Sequence, residues 1–212
     1  MKINRRPLLK LLLWPGVLAA AAFAGPPPPP SIQVIDLRAD RVPASEIVHS
    51  LRNRSCASVS FIPVLQAGTV SVDAKRATVP EILSQVARTN PAYRSETIDG
   101  RDVLYPAAPE FQTVLKEVAI QRIPRQTATE TYVDLLRTKV PAFATLVAPW
   151  VIGDERRPLF TDPVSVRSTG RVIEQLVDLL GDDRNLYFEF IQARSGRPFI
   201  GFARVRCITS SH

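Results

Sequence analysis

Five consecutive prolines, Pro26 to Pro30, follow Gly25. Proline lacks the backbone N–H that a sheet ladder or a helix needs, so neither element can run through this stretch, which adopts an extended, stiff polyproline II spacer. Any folded mass therefore begins at about Ser31. Upstream, Lys2, Arg5, Arg6 and Lys10 precede an apolar run, Leu11 to Ala24, that holds no acidic residue and ends in small side chains. This is the layout of an export signal, and Ala22-Phe23-Ala24 supplies the small-x-small pattern that places cleavage before Gly25. The alternative is a retained anchor. Against it, Lys10 and Pro15-Gly16 interrupt a run that falls short of the roughly 20 apolar residues needed to span a bilayer. A periplasmic, soluble mature form without a membrane span is expected.

Export changes how the charge is read. The chain carries +7, but Lys2, Arg5, Arg6 and Lys10 contribute four of these charges, leaving +3 on residues 25–212. The remaining arginines alternate with acids as on an ordinary solvated surface, and no nucleic-acid partner is expected. An oxidising compartment also gives the two cysteines, Cys56 and Cys207, the chance to pair. They are too far apart in sequence for a metal or CxxC motif. One disulfide or two buried thiols both remain open.

About 180 residues follow the spacer, 45% of the whole chain is apolar, and the pattern between residues 31 and 107 alternates strand and helix with clear punctuation. Ile32 to Leu37 alternates as a half-buried strand. Pro43 opens a helix with Ile47, Val48 and Leu51 on one face. Two short strands are expected at Ser58 to Ile62 and Gly68 to Val72, with Ala74-Lys75-Arg76 turning back to solvent. Thr78 and Glu81 stand at capping-box spacing before a helix that buries Ile82, Leu83 and Val86 and stops at Asn90-Pro91. Tyr93 to Ile98 and Arg101 to Tyr105 flank Asp99-Gly100, a dipeptide suited to the positive φ of a two-residue hairpin turn.

Residues 108–206 read as a second αβ domain that repeats this order in degenerate form at a spacing of roughly 85 to 95 residues, before a tail at 207–212. The expected elements are a strand at Val114 to Ile123, a helix capped by Thr127 and Glu130, and an apolar run at Phe143 to Ile152. Val164-Ser165-Val166 repeats the form of Val70-Ser71-Val72. A helix capped by Ser168 buries Val172, Ile173, Leu176 and Leu180, and a hairpin spans Leu186 to Val205. The fold class is α+β, with tandem βαβ-βαββ modules, each packing two helices against small β-sheets.

The segment from Ile32 to Pro106 resembles the secretin and TonB short N-terminal domain (STN) family. The resemblance rests on the opening strand Ile32 to Leu37, the Ile47/Leu51 register, Val59-Ser60-Phe61, Gly68 to Val72, Thr78-Val79-Pro80-Glu81-Ile82-Leu83, and the hairpin from Tyr93 to Tyr105. It covers about a third of the chain. The resemblance implies two helices packed between small sheets and a domain that contacts other envelope proteins: a secretin platform, a TonB-dependent receptor or an anti-sigma regulator. After Pro106 the sequence lacks the run of amphipathic strands of an outer-membrane barrel, so the module is detached from any channel of its own.

No catalytic, cofactor-binding or metal-binding residue emerges. His49 lies off the apolar face of its helix, and His212 is in the tail. Asp182-Asp183 reads as a polar turn, and Asn53-Arg54-Ser55 as a chance sequon. GxSxG, HExxH, GxGxxG, P-loop and CxxC patterns do not occur. The expectation is a non-enzymatic protein–protein interaction module of the bacterial envelope, with a self-associating structural component and an uncharacterised periplasmic enzyme as alternatives. Its candidate contact is a sheet edge, first the strand with Ile32, Val34, Ile35 and Leu37, and then the strands flanking the hairpins.

Overall fold

The computed structural model describes residues 33–64, 67–116, 122–123, 138–140, 151–152, 164–192 and 198–205. Its class is α+β. The first half runs β1 (Ile35–Val42), α1 (Ala44–Ser55), β2 (Ser60–Phe61), β3 (Val70–Ala77), α2 (Val79–Thr89), β4 (Tyr93–Ile98) and β5 (Arg101–Pro106), the order that the apolar pattern dictates. Ile47, Val48 and Leu51 of α1 and Ile82, Leu83 and Val86 of α2 are at most 1% exposed. Each such side chain contributes about 1.5–3 kcal/mol through burial. The Thr78 N–H donates to Glu81 Oε2 at 2.7 Å, closing the capping box that starts α2.

The strand boundaries depart from the sequence reading at β1 and β3. Pairing in β1 begins at Ile35, three residues later than expected, and β3 continues through Ala74-Lys75-Arg76 instead of turning there. Two bulges explain the longer ribbon. In β1, Asp40 and Arg41 oppose Ser71 alone, and in β3, Lys75 and Arg76 oppose Asp36 alone. The second residue of each bulge is left-handed, Arg41 at φ 51° and Arg76 at φ 47°. The opposing side chain accepts its N–H: Ser71 Oγ from Arg41 at 3.0 Å, and Asp36 Oδ1 from Arg76 at 2.7 Å. Those side-chain acceptors offset the steric cost of a positive φ at a non-glycine residue.

The second half contributes α3 (Pro109–Gln112), β6 (Val114–Leu115), β7 (Arg122–Ile123), β8 (Val151–Ile152), β9 (Val164–Ser165), β10 (Gly170–Arg171), α4 (Val172–Asp178), β11 (Leu186–Gln192) and β12 (Pro198–Arg204). Val172, Ile173, Leu176 and Leu180 are buried as expected, but the helix begins later than Ser168. Gly170-Arg171 is held extended against β6, so Arg171 becomes the N-cap, and its N–H donates to Glu174 Oε2 at 2.9 Å. The expected helix after Thr127 and most of the apolar run at 143–152 lie outside the described residues.

A six-stranded sheet runs through both halves in the order β4-β5-β2-β11-β12-β8. Alternate residues of its strands therefore point into two cores. Phe61, Tyr93 and Leu104 pack with α1, α2 and the β1–β3 ribbon. Ile62, Val103 and Tyr105 pack on the other face with Phe111, α4, Phe188, Phe190 and Phe202. Residues Ile32–His212 group as one compact unit.

The Asp99-Gly100 turn has φ 49° and 72°, positive at both central positions, as a type I′ hairpin requires. A Cβ on Gly100 would also lie 2.9 Å from Arg184 Nη1. Gly100→Val is expected to cost about 2 kcal/mol, because a β-branched residue is strained at positive φ. Thermal unfolding followed by circular dichroism should show a midpoint lowered by about 4–8 °C. An unchanged midpoint would refute this account of the turn.

Candidate interaction edges

The sequence places its candidate contact on the opening strand, and the structure distributes those residues unevenly. Ile32 lies outside the described residues. Val34 precedes β1 and is 47% exposed, Ile35 is partly buried against the core, and Leu37 is buried within it. Among the described residues, strand β1 pairs with β3 alone, so within them each has an outer edge without a strand partner. Both edges are interrupted by a bulge, a device that twists an edge away from strand addition.

Strand β4 presents a more regular edge. It pairs with β5 without a register shift, from Tyr93 opposite Pro106 to Ile98 opposite Arg101. The Ala107 N–H donates to Ala92 O at 2.7 Å, which fixes the phase of the ladder: residues 94, 96 and 98 bond to β5, and residues 93, 95 and 97 turn their N–H and C=O groups outward. The Tyr93 N–H is taken by Asn90 O at 3.0 Å. The main-chain groups of Ser95 and Thr97 have no partner among the described residues. Here the hairpin motif, which the sequence shows plainly, marks the edge better than the opening strand does.

Polar side chains hold β4 in place from the α4 side. Arg171 Nη2 donates to Glu96 Oε2 at 2.7 Å, and Arg171 Nη1 donates to Gln112 Oε1 at 3.0 Å. Tyr105 Oη donates to Glu96 Oε1 at 2.8 Å. The Arg171 guanidinium holds the Glu96 carboxyl below its ordinary range, and burial raises the Tyr105 hydroxyl. The same ion pair keeps Arg171 protonated beyond its ordinary value. The network spans β4, β5, α3 and α4 and fixes the strand whose other side has no strand partner among the described residues.

A polar depression of about 190 Å3 lies beside the hairpin turn, lined in part by Asp99, Arg101, Asp178, Asp182 and Arg184. Its charged groups are largely committed. Arg101, 4% exposed, donates to Leu186 O at 3.1 Å and Gly181 O at 2.6 Å. Arg167 pairs with Asp178 at 2.7 Å and with Asp99, while Arg184 donates to Asp99 O. Asp183, in the turn after Gly181, accepts from the Asn185 N–H at 3.0 Å and pairs with Arg204 at 2.7 Å. His49 contacts Asn53 on the exposed side of α1. Among the described residues, no group of three or more His, Cys, Asp or Glu side chains could hold a metal ion. No described helix is long and apolar enough to cross a membrane.

Comparison of the chain with protein-family models, curated proteins and solved structures found no match in any of the three.

Proposed function

We propose that this protein is an exported, periplasmic interaction module of the bacterial envelope, related to the STN family, that binds protein partners by adding their strands to a free sheet edge. The observation that carries the reading is β4: an unbulged edge with outward main-chain groups at Ser95 and Thr97, held rigid from behind by Arg171. Strand addition needs such a row of unpaired donors and acceptors in fixed positions. The export-type N-terminus sets the compartment, and the charged groups beside the hairpin turn serve structure.

Affinity capture from the periplasmic fraction after cross-linking in cells tests this. The captured chain should begin at Gly25 and carry a defined protein partner. Ser95→Pro should abolish capture, since it removes an outward N–H without touching the β4–β5 ladder. Retention of Met1 in a membrane pellet, undiminished capture by folded Ser95→Pro, or turnover of an envelope metabolite without any protein partner would each overturn the reading.

A further inference from the structure

Each half of the chain contributes three strands to the central sheet under the same pairing rule. In the first, β4 runs antiparallel and β2 parallel to β5; in the second, β11 runs antiparallel and β8 parallel to β12. Outside the sheet, the antiparallel pair β1–β3 has its counterpart in β7–β9. By position in this scheme β11 corresponds to β4, and β8 corresponds to β2. The halves are joined where β11 lies parallel to β2, with Glu189 opposite Phe61.

That joint uses one edge of each half and leaves the complementary edge of the other. Among the described residues, the sheet ends in β4, the counterpart of β11, and in β8, the counterpart of β2. The strand directions are consistent with repetition. Strand β4 runs opposite to β5 and β2, β11 runs with β2, and β12 and β8 run opposite to β11. The two terminal strands therefore point the same way. A second copy in the same orientation sets its β8 parallel to β4, the sense in which β2 meets β11.

We infer that the partner of the β4 edge is the β8 edge of a second copy of this chain, so that copies associate head to tail and extend one sheet. The inference rests on the proposal that the protein works by edge pairing and names the occupant. The contact is heterologous: each copy uses a different surface on each side, so the assembly closes into a ring or continues as a filament according to the twist accumulated per copy.

Sedimentation velocity of the purified chain alone, over a concentration series reaching the order of 100 μM, tests the inference without any other envelope component. The average mass should rise with concentration above that of a single chain. Ser95→Pro should weaken association about tenfold or more, because the proline removes a donor and obstructs the approach of a second strand. Hydrogen exchange keeps the question decidable if that variant fails to fold. The Ser95 and Thr97 amides of the unaltered chain should be protected at high concentration and exchange freely on dilution. A single-chain mass throughout, or association that leaves both amides unprotected, overturns the inference. A single-chain mass together with edge-dependent capture of a different envelope protein overturns it while leaving the proposed function standing.

Discussion

Replacing Arg52 with alanine is expected to lower the free energy of unfolding by about 3–5 kcal/mol, the range for breaking a buried charge pair by removing one partner. Arg52 is 6% exposed in the last turn of α1. Its Nε and Nη2 donate to Val59 O at 3.0 and 2.7 Å, and its Nη1 donates to Glu189 Oε2 at 2.6 Å. The guanidinium carbon lies 3.8 Å from the centre of the Tyr187 ring. Val59 is fully buried, so alanine leaves its carbonyl without a donor, and it also strands a carboxylate that is mostly enclosed. The residue bridges the two halves of the sheet at the β2–β11 joint, where the ladder supplies a single matched pair. Arg54→Ala, on the exposed side of the same turn, should stay within about 0.5 kcal/mol of the unaltered protein. Urea unfolding of both variants measures the difference. Equal midpoints for the two would show that the joint does not depend on Arg52.

Cys56→Ser is expected to cost a comparable amount, about 3–5 kcal/mol. Cys56 is disulfide-bonded, and the only other cysteine in the sequence, Cys207, lies outside the described residues. The surrounding chain is consistent with that partner. Ser58 donates to Arg184 O at 2.6 Å, and the Val205 N–H donates to Asn185 O at 2.9 Å. These two bonds bring the end of β12 toward the segment that follows α1. A bridge from residue 56 to residue 207 closes a loop of about 150 residues, for which loop-closure entropy alone gives about 5 kcal/mol. Unfolding of the oxidised protein, the reduced protein, Cys56→Ser and Cys207→Ser should yield one high midpoint and three coincident lower ones. Coincidence of the oxidised and reduced curves would rule out a stabilising bridge.

How much of this was legible in advance depends on the range of the interaction that fixes each element. Helices α1 and α2, the Thr78/Glu81 capping box and the Asp99-Gly100 turn are set by residues within about four positions of one another, and the apolar spacing and turn chemistry displayed them directly. The bulges at Arg41 and Arg76 were hidden. Nothing local marks arginine for positive φ, and the acceptors that permit it, Ser71 and Asp36, lie on the opposing strand. The start of α4 shifted for a related reason, since pairing of Gly170-Arg171 with Val114-Leu115 holds the chain extended past Ser168.

The candidate edge shows the same division. The sequence reading put the opening strand first and the hairpin strands after it, and alternation could not decide between them, because a side-chain pattern reveals which face of a strand is buried but not which of its sides is paired. By itself, the sequence determined the α+β class, the element order of residues 35–106 and the faces of its helices, all consequences of short-range periodicity and backbone stereochemistry. Only the tertiary structure decided that β2 and β11 join the halves in one sheet, that Arg52 reaches Glu189, and that β4, paired without a bulge to β5, ends the sheet among the described residues. The first two outcomes depend on contacts between residues more than a hundred positions apart, and the third on which neighbours the other strands of the sheet take, so that packing and not local pattern selects among them.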